Sequence, residues 1–207
     1  MSYIEETKQV GPFKIEVWVD DFPSNPFEDW DATATIVHWH PRYSLGDQVS
    51  IPGSPEEMEE LIESVKRDYG ATVVLPLYLY DHSGITVSTK PFSCQWDSGQ
   101  VGLVFMSAKA IKDGWGDHPH PTDEDLPDII ASSLNSFDRY IRGEVYGYSV
   151  TRENGDEQDG PVGGFYCDPD EVMKEAESYL PEDEVEAWEK LEALKAKYPS
   201  LVNVRVC

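Results

Sequence analysis

The stretch from residue 71 to residue 116 limits the fold more than any other. Three aspartates there (Asp81, Asp97, Asp113) balance three lysines (Lys90, Lys109, Lys112), in a chain whose 16 basic and 40 acidic residues leave a net −24. Its apolar run, Thr72 to Tyr80, is rich in β-branched and aromatic residues and short for a helix, so it predicts a core strand. Ile85–Ser88 and Gln100–Ser107 predict companion strands, joined by turns at Ser83-Gly84 and Ser98-Gly99.

Around this neutral centre the chain reads as strands and solvated helices. Phe13 to Val19 alternates with period two, a half-buried strand, and Thr33 to His38 is a β-branched one. Ser54-Pro55-Glu56-Glu57 predicts a helix start, with Ser54 as cap and Glu57 closing a capping box ahead of the apolar face Met58, Leu61, Ile62, Val65. Asp125 is expected to cap a helix carrying Ile129, Ile130, Leu134, Phe137 and Ile141. Glu144–Arg152 alternates, Asn154-Gly155 signals a turn, and Pro161–Cys167 returns as a hairpin partner. Asp168 opens a further helix, and Pro181 a last one with Val185, Trp188, Leu191 and Leu194. The expected fold is α+β: one domain over 1–207, a mixed or largely antiparallel sheet packed with about four helices, ending in an acidic helical part at about 168–198.

The acid is concentrated. Residues 153–192 hold fifteen acids and only Lys174 and Lys190 as bases. A field of this sign repels nucleic acid and anionic membrane, which argues against direct DNA binding. Solubility, imitation of a phosphate backbone, and capture of a basic partner all remain open explanations. The contact surface expected for a partner is Asp156, Glu157 and Asp159 at the hairpin tip, with Glu171, Glu175, Glu182, Asp183 and Glu184 on the last helices. Met1–Glu6 has neither the basic start nor the apolar stretch of a secretory signal, and no apolar run nears the roughly 20 residues that span a bilayer. Three widely spaced cysteines (Cys94, Cys167, Cys207) form no disulfide framework or zinc ribbon pattern. The expected compartment is therefore the cytoplasm.

Reactive side chains gather in two segments, Trp30–Asp47 and Tyr80–Gln100. His38 and His40, two apart on a strand, face one side and could ligate a divalent metal if Asp31, Asp47, Asp81 or Asp97 supplied the other ligands. Cys94 as nucleophile with His82 as base is a second arrangement, of the Cys–His–Asp kind, with Asp97 a further catalytic candidate. Each has a plainer reading: a cysteine that packs as a small hydrophobe, and aspartates that form turns beside glycines. His118-Pro119-His120-Pro121 reads as an extended loop before it reads as a metal tract. Trp39, Tyr78, Tyr80, Phe92, Trp96 and Phe105 could stack a nucleobase, but sheet core is the first expectation for them. No phosphate-cradling glycine loop, dinucleotide fingerprint, zincin motif or nucleophile elbow is present, so no resident cofactor is expected beyond a possible divalent metal.

The same segments carry a resemblance. Trp30-Asp31 with Val37–Asp47, Leu75–Thr86 with Phe92–Gly102, and Gly143–Tyr148 with Gly163–Tyr166 resemble the signatures of a family of uncharacterised proteins carried by phages, prophages and integrative elements. The resemblance covers most of residues 12–167 and implies a mobile-element origin, with no activity attached. Its signatures fall on Asp81, His82, Cys94, Trp96 and Asp97, which implies a specific role for that cluster. Pro41 and Ser44 depart from the pattern. Charge and resemblance together favour binding over catalysis: an accessory protein that inhibits a host defence protein, itself nucleic-acid-binding, by acidic DNA mimicry. The alternative is a metal- or nucleotide-dependent enzyme, or a small-ligand binder, built on His40, Asp81, His82, Cys94 and Asp97.

Overall fold

A computed structural model describes residues 3–30, 34–46, 49–50 and 57–198. In chain order these form β1 (Ile4–Val10), β2 (Phe13–Val19), β3 (Ala34–His38), β4 (Val49–Ser50), α1 (Met58–Tyr69), β5 (Ala71–Asp81), β6 (Ile85–Ser88), β7 (Ser98–Ser107), α2 (Ala108–Trp115), α3 (Leu126–Arg142), β8 (Tyr146–Arg152), β9 (Glu157–Phe165), α4 (Pro169–Ser178) and α5 (Glu182–Lys197). The fold is α+β, with two largely antiparallel sheets. Backbone contacts gather into two compact units, residues 1–22 with 145–207 and residues 23–144. Each contains 20 acidic and 8 basic residues.

The first unit is built on the sheet β1-β2-β8-β9. In β2 the odd positions Phe13, Ile15 and Val17 are fully buried, while Lys14, Glu16 and Trp18 face the other way. Helix α4 covers the apolar face with Val172, Met173 and Ala176, against Tyr148 and Val150. The opposite face, which carries Lys14, Glu16 and Trp18, builds no apolar core cluster among the described residues. There the Trp18 indole lies across Gly147 of β8, a close approach that only a residue without Cβ allows. Asp20 N–H donates to the Val145 carbonyl at 2.8 Å, closing the point where the chain leaves this unit and returns to it. Helix α5 has no buried residue; only Val185 reaches the core.

The second unit has the sheet order β4-β3-β7-β5-β6, antiparallel except for the β3–β4 pair. Both of its faces are covered. Ile130, Leu134 and Phe137 of α3 and Ile111 of α2 pack on Ile36, Leu77, Leu79, Val104 and Met106. On the other side Met58, Leu61, Ile62 and Val65 of α1 pack on Val37, Trp39, Leu103 and Phe105. Two-sided burial explains the unbroken apolar runs of β5 and β7. A Cβ on Gly102, in the middle of β7, would stand 2.5 Å from the Val37 carbonyl oxygen. The buried carboxylate of Asp138 in α3 accepts the Val87 N–H of edge strand β6 at 2.7 Å and pairs with Arg142 at 3.2 Å. It thus closes a backbone donor that an edge strand leaves over.

Several details differ from expectation. Helix α1 starts at Met58, with Glu57 extended before it and no side-chain cap; Ser54, Pro55 and Glu56 lie outside the described residues. Asp125 does not cap α3; its carboxylate accepts from the N–H and hydroxyl of Thr122 at 2.9 and 2.7 Å, fixing the turn ahead of the helix. Asp168 makes no side-chain cap bond either. Ser98-Gly99 opens β7 instead of forming a turn. Helix α2, a fifth helix, follows β7 directly because the Ser107 hydroxyl caps it, accepting the Ala110 N–H at 3.0 Å. Among the described residues no helix is long and apolar enough to cross a membrane.

Candidate functional site

Antiparallel pairing of β5 and β7 places the end of one beside the start of the other. The Asp81 N–H donates to the Asp97 carbonyl at 2.8 Å, so the two aspartates are neighbours across the pair. The β5–β6 turn is tight, with Ser83 at φ 59° and the His82 N–H donating to the Gly84 carbonyl at 3.0 Å. The chain beyond β3 is held alongside by the Trp39 N–H on the Val101 carbonyl, 2.9 Å, which delivers His40, Arg42 and Tyr43 to the same place. The result is a pocket of about 340 Å³ in the second unit, lined chiefly by His40, Arg42, Asp81, Trp96, Asp97 and Ser98.

Its polar groups are partly spent on one another. Asp81 Oδ2 pairs with Arg42 and accepts the Tyr43 hydroxyl at 3.1 Å. Arg42 also stands 5.2 Å from the Tyr43 ring centre. His40 stacks on Tyr43 with ring centres 4.8 Å apart, and its Nδ1 accepts the backbone N–H groups of Arg42 and Tyr43 at 3.3 and 3.2 Å. That leaves its proton on Nε2. Burial, and then the Arg42 charge, lower the His40 pKa against a smaller opposing pull from Asp81, so the ring is neutral at pH 7. Asp97 Oδ2 lies 3.3 Å from His82 Nδ1 and accepts the Cys94 thiol at 3.6 Å. The Oδ1 atoms of Asp81 and Asp97 accept no bond from any described residue.

Trp96 is the outlier. It is 96% exposed, although sheet core was expected for it. Trp39 and Phe105 do enter the core, and Tyr80 packs on Phe92 with ring centres 5.6 Å apart. Trp96 lies in the segment just before β7, at the end of the sheet.

The other candidates divide. His40 and Asp81 come together at the pocket, but His38 is 4% exposed, with its Nδ1 unpartnered among the described residues; burial and the neighbouring His40 lower its pKa. Asp31 and Asp47 lie outside the described residues, and among those described no three His, Cys, Asp or Glu side chains are placed to hold a metal. His82 and Cys94 each meet Asp97 and make no bond to each other, so the thiol has a carboxylate and not an imidazole as its partner. His118 and His120 are exposed, His120 bonding the Gly116 carbonyl at 3.1 Å. Arg42 and Tyr43 fell within the reactive segment and the first signature of the resemblance but were not named as site residues from sequence.

In the first unit the acids also play unequal parts. Glu184 is engaged by a two-pronged bond from Arg152, and Asp156 by Asn154 at 2.7 Å inside the hairpin turn. Glu171 and Glu175, one helical turn apart, share the exposed face of α4, and Glu175 accepts the Tyr179 hydroxyl at 3.0 Å. Glu182 and Asp183 are exposed in the first turn of α5, where the helix dipole favours negative charge. Glu157 is exposed; the Asp159 side chain lies outside the described residues. A groove of about 320 Å³ runs beside α5, lined by Pro12, Arg152, Glu184, Trp188 and Leu191. No protein-family model matches this sequence, no curated protein matches it, and no solved structure matches the fold.

Proposed function

We propose that this chain is an accessory protein of a phage or mobile element that acts by binding a host protein, with the Asp81–Asp97 pocket as its recognition site. One observation carries the reading. Segments far apart in the chain, around 42, 81 and 96, converge on one pocket beside an indole that the fold itself leaves unused. Tryptophan, tyrosine and arginine are the residues in which interface binding energy concentrates, and Trp96, Tyr43 and Arg42 meet here. The equal acid excess of the two units supports a long-range field that draws in a basic partner, such as a nucleic-acid-binding defence protein. In the mimicry form of this reading, Glu171, Glu175, Glu182 and Asp183 imitate phosphates.

Affinity purification from host lysate with matched variants tests it. Trp96→Ala with Asp97→Asn should lose the partner, and reversing the four exposed acids should weaken capture and its salt dependence. Retention by the pocket variant at wild-type level sinks the pocket reading; indifference to charge reversal and to salt sinks mimicry. A second reading, an enzyme or small-ligand binder, is favoured by the joint contact of His82 and Cys94 with Asp97. It requires a metal or nucleotide to co-purify, and loss of that ligand in a folded His82→Ala variant.

A further inference from the structure

We infer that the occupant of the Asp81–Asp97 pocket is an arginine side chain presented by a basic protein, an inference that rests on the pocket being the recognition site. The lining charges decide the sign. Arg42 cancels one of the two carboxylates and His40 is neutral, so the lining carries one negative charge more than it can balance. Asp81 and Asp97, neighbours tied backbone to backbone, each commit Oδ2 internally, and among the described residues nothing donates to either Oδ1. A cation with several N–H donors completes this set, while a phosphate would meet two carboxylates and a chain of net charge −24.

The exposed indole then selects among cations. A guanidinium is planar, sheds its water readily and stacks on an aromatic face while its edge serves a carboxylate; an ammonium is compact and strongly hydrated. The pocket already holds one arginine in this manner, since Arg42 pairs with Asp81 and lies over the Tyr43 ring. Asp97 and Trp96 bring a second carboxylate and a second aromatic to the pocket, where Asp97 meets the His82 ring and, among the described residues, no arginine or lysine.

Titration calorimetry of the full chain with a Gly-Arg repeat peptide, the matching Gly-Lys peptide and guanosine separates the outcomes. The arginine peptide should bind about fivefold or more tightly than the lysine peptide. Trp96→Ala and Asp97→Asn should each weaken it about tenfold and erase the preference, with circular dichroism unchanged. Glu171→Gln, the same charge change on α4, should leave the preference intact. Equal binding of both peptides with Trp96→Ala silent would overturn the inference in favour of a diffuse acidic field, and with it the pocket reading. Guanosine binding that depends on Trp96, without arginine binding, would overturn the arginine assignment while leaving the pocket as the recognition site.

Discussion

The two units share a sheet-and-helix plan and an equal charge, and differ in how many sheet faces they bury. In the first, β2 alternates because one face meets α4 and the other, with Lys14, Glu16 and Trp18, enters no apolar core among the described residues. In the second, residues 101–106 of β7 are buried without a break, because α3 lies on one face and α1 on the other. A sheet closed on both sides cannot yield locally, whereas an open face can give way one side chain at a time. The Asp81–Asp97 pocket belongs to the closed sheet and lies at its end, so a stiff scaffold holds a partly exposed site.

Two glycines make the contrast measurable. Gly102→Ala puts a methyl against the Val37 carbonyl in the covered sheet, with backbone on the receiving side and nowhere to move. The expected loss is upward of about 3 kcal/mol in chemical denaturation. Next in size is Asp138→Ala, which orphans the Val87 N–H, leaves Arg142 to Glu144, and should cost about 2–3 kcal/mol. Gly147→Ala drives a methyl into the Trp18 indole on the open face, where the ring can swing outward; about 1 kcal/mol or less is expected. If Gly147→Ala proves as damaging as Gly102→Ala, the contrast between closed and open sheets is wrong.

Smaller still is the effect of Arg152→Ala. The Arg152 bond holds the Glu184 carboxyl below the ordinary glutamate value of 4.5, so attachment of α5 is in full force above that pH and is lost as pH falls through the depressed value. The α5 amides should exchange faster in the variant and in acid, with the slowest amides of β7 unchanged. Smallest is Trp96→Ala, whose unfolding free energy should stay within about 0.5 kcal/mol of the parent because the indole supports nothing.

What the sequence made legible follows the same division. Strands with a buried face announced themselves: β2 by alternation, β5 and β7 by their apolar runs. Strand β1 did not, because Glu5, Glu6, Thr7, Lys8 and Gln9 form an exposed edge with no apolar pattern to read. Helix α2 was hidden because Ser107 is both the last residue of β7 and the cap of the helix, so no loop residue separates them. Val185, Trp188, Leu191 and Leu194 of α5 looked like a core face, yet only Val185 reaches the core. At the site, Asp81, His82, Cys94 and Asp97 were visible because turns and a strand pair keep them close. The carboxylate contacts of Arg42 and Tyr43, 39 and 38 residues away, depend on strand order, which no local pattern encodes.

The hydrogen bond between Asp20 and Val145 has a consequence for how the chain is made. A ribosome issues every strand of the second unit before β8 exists, while β2, paired with β1, waits for its second neighbour encoded beyond residue 145. Loop-closure entropy rises only slowly with length, and a completed insert between two adjacent ends turns a long excursion into a short tether. The second unit therefore has the parts to fold during synthesis, and the first must be finished last, from its two ends.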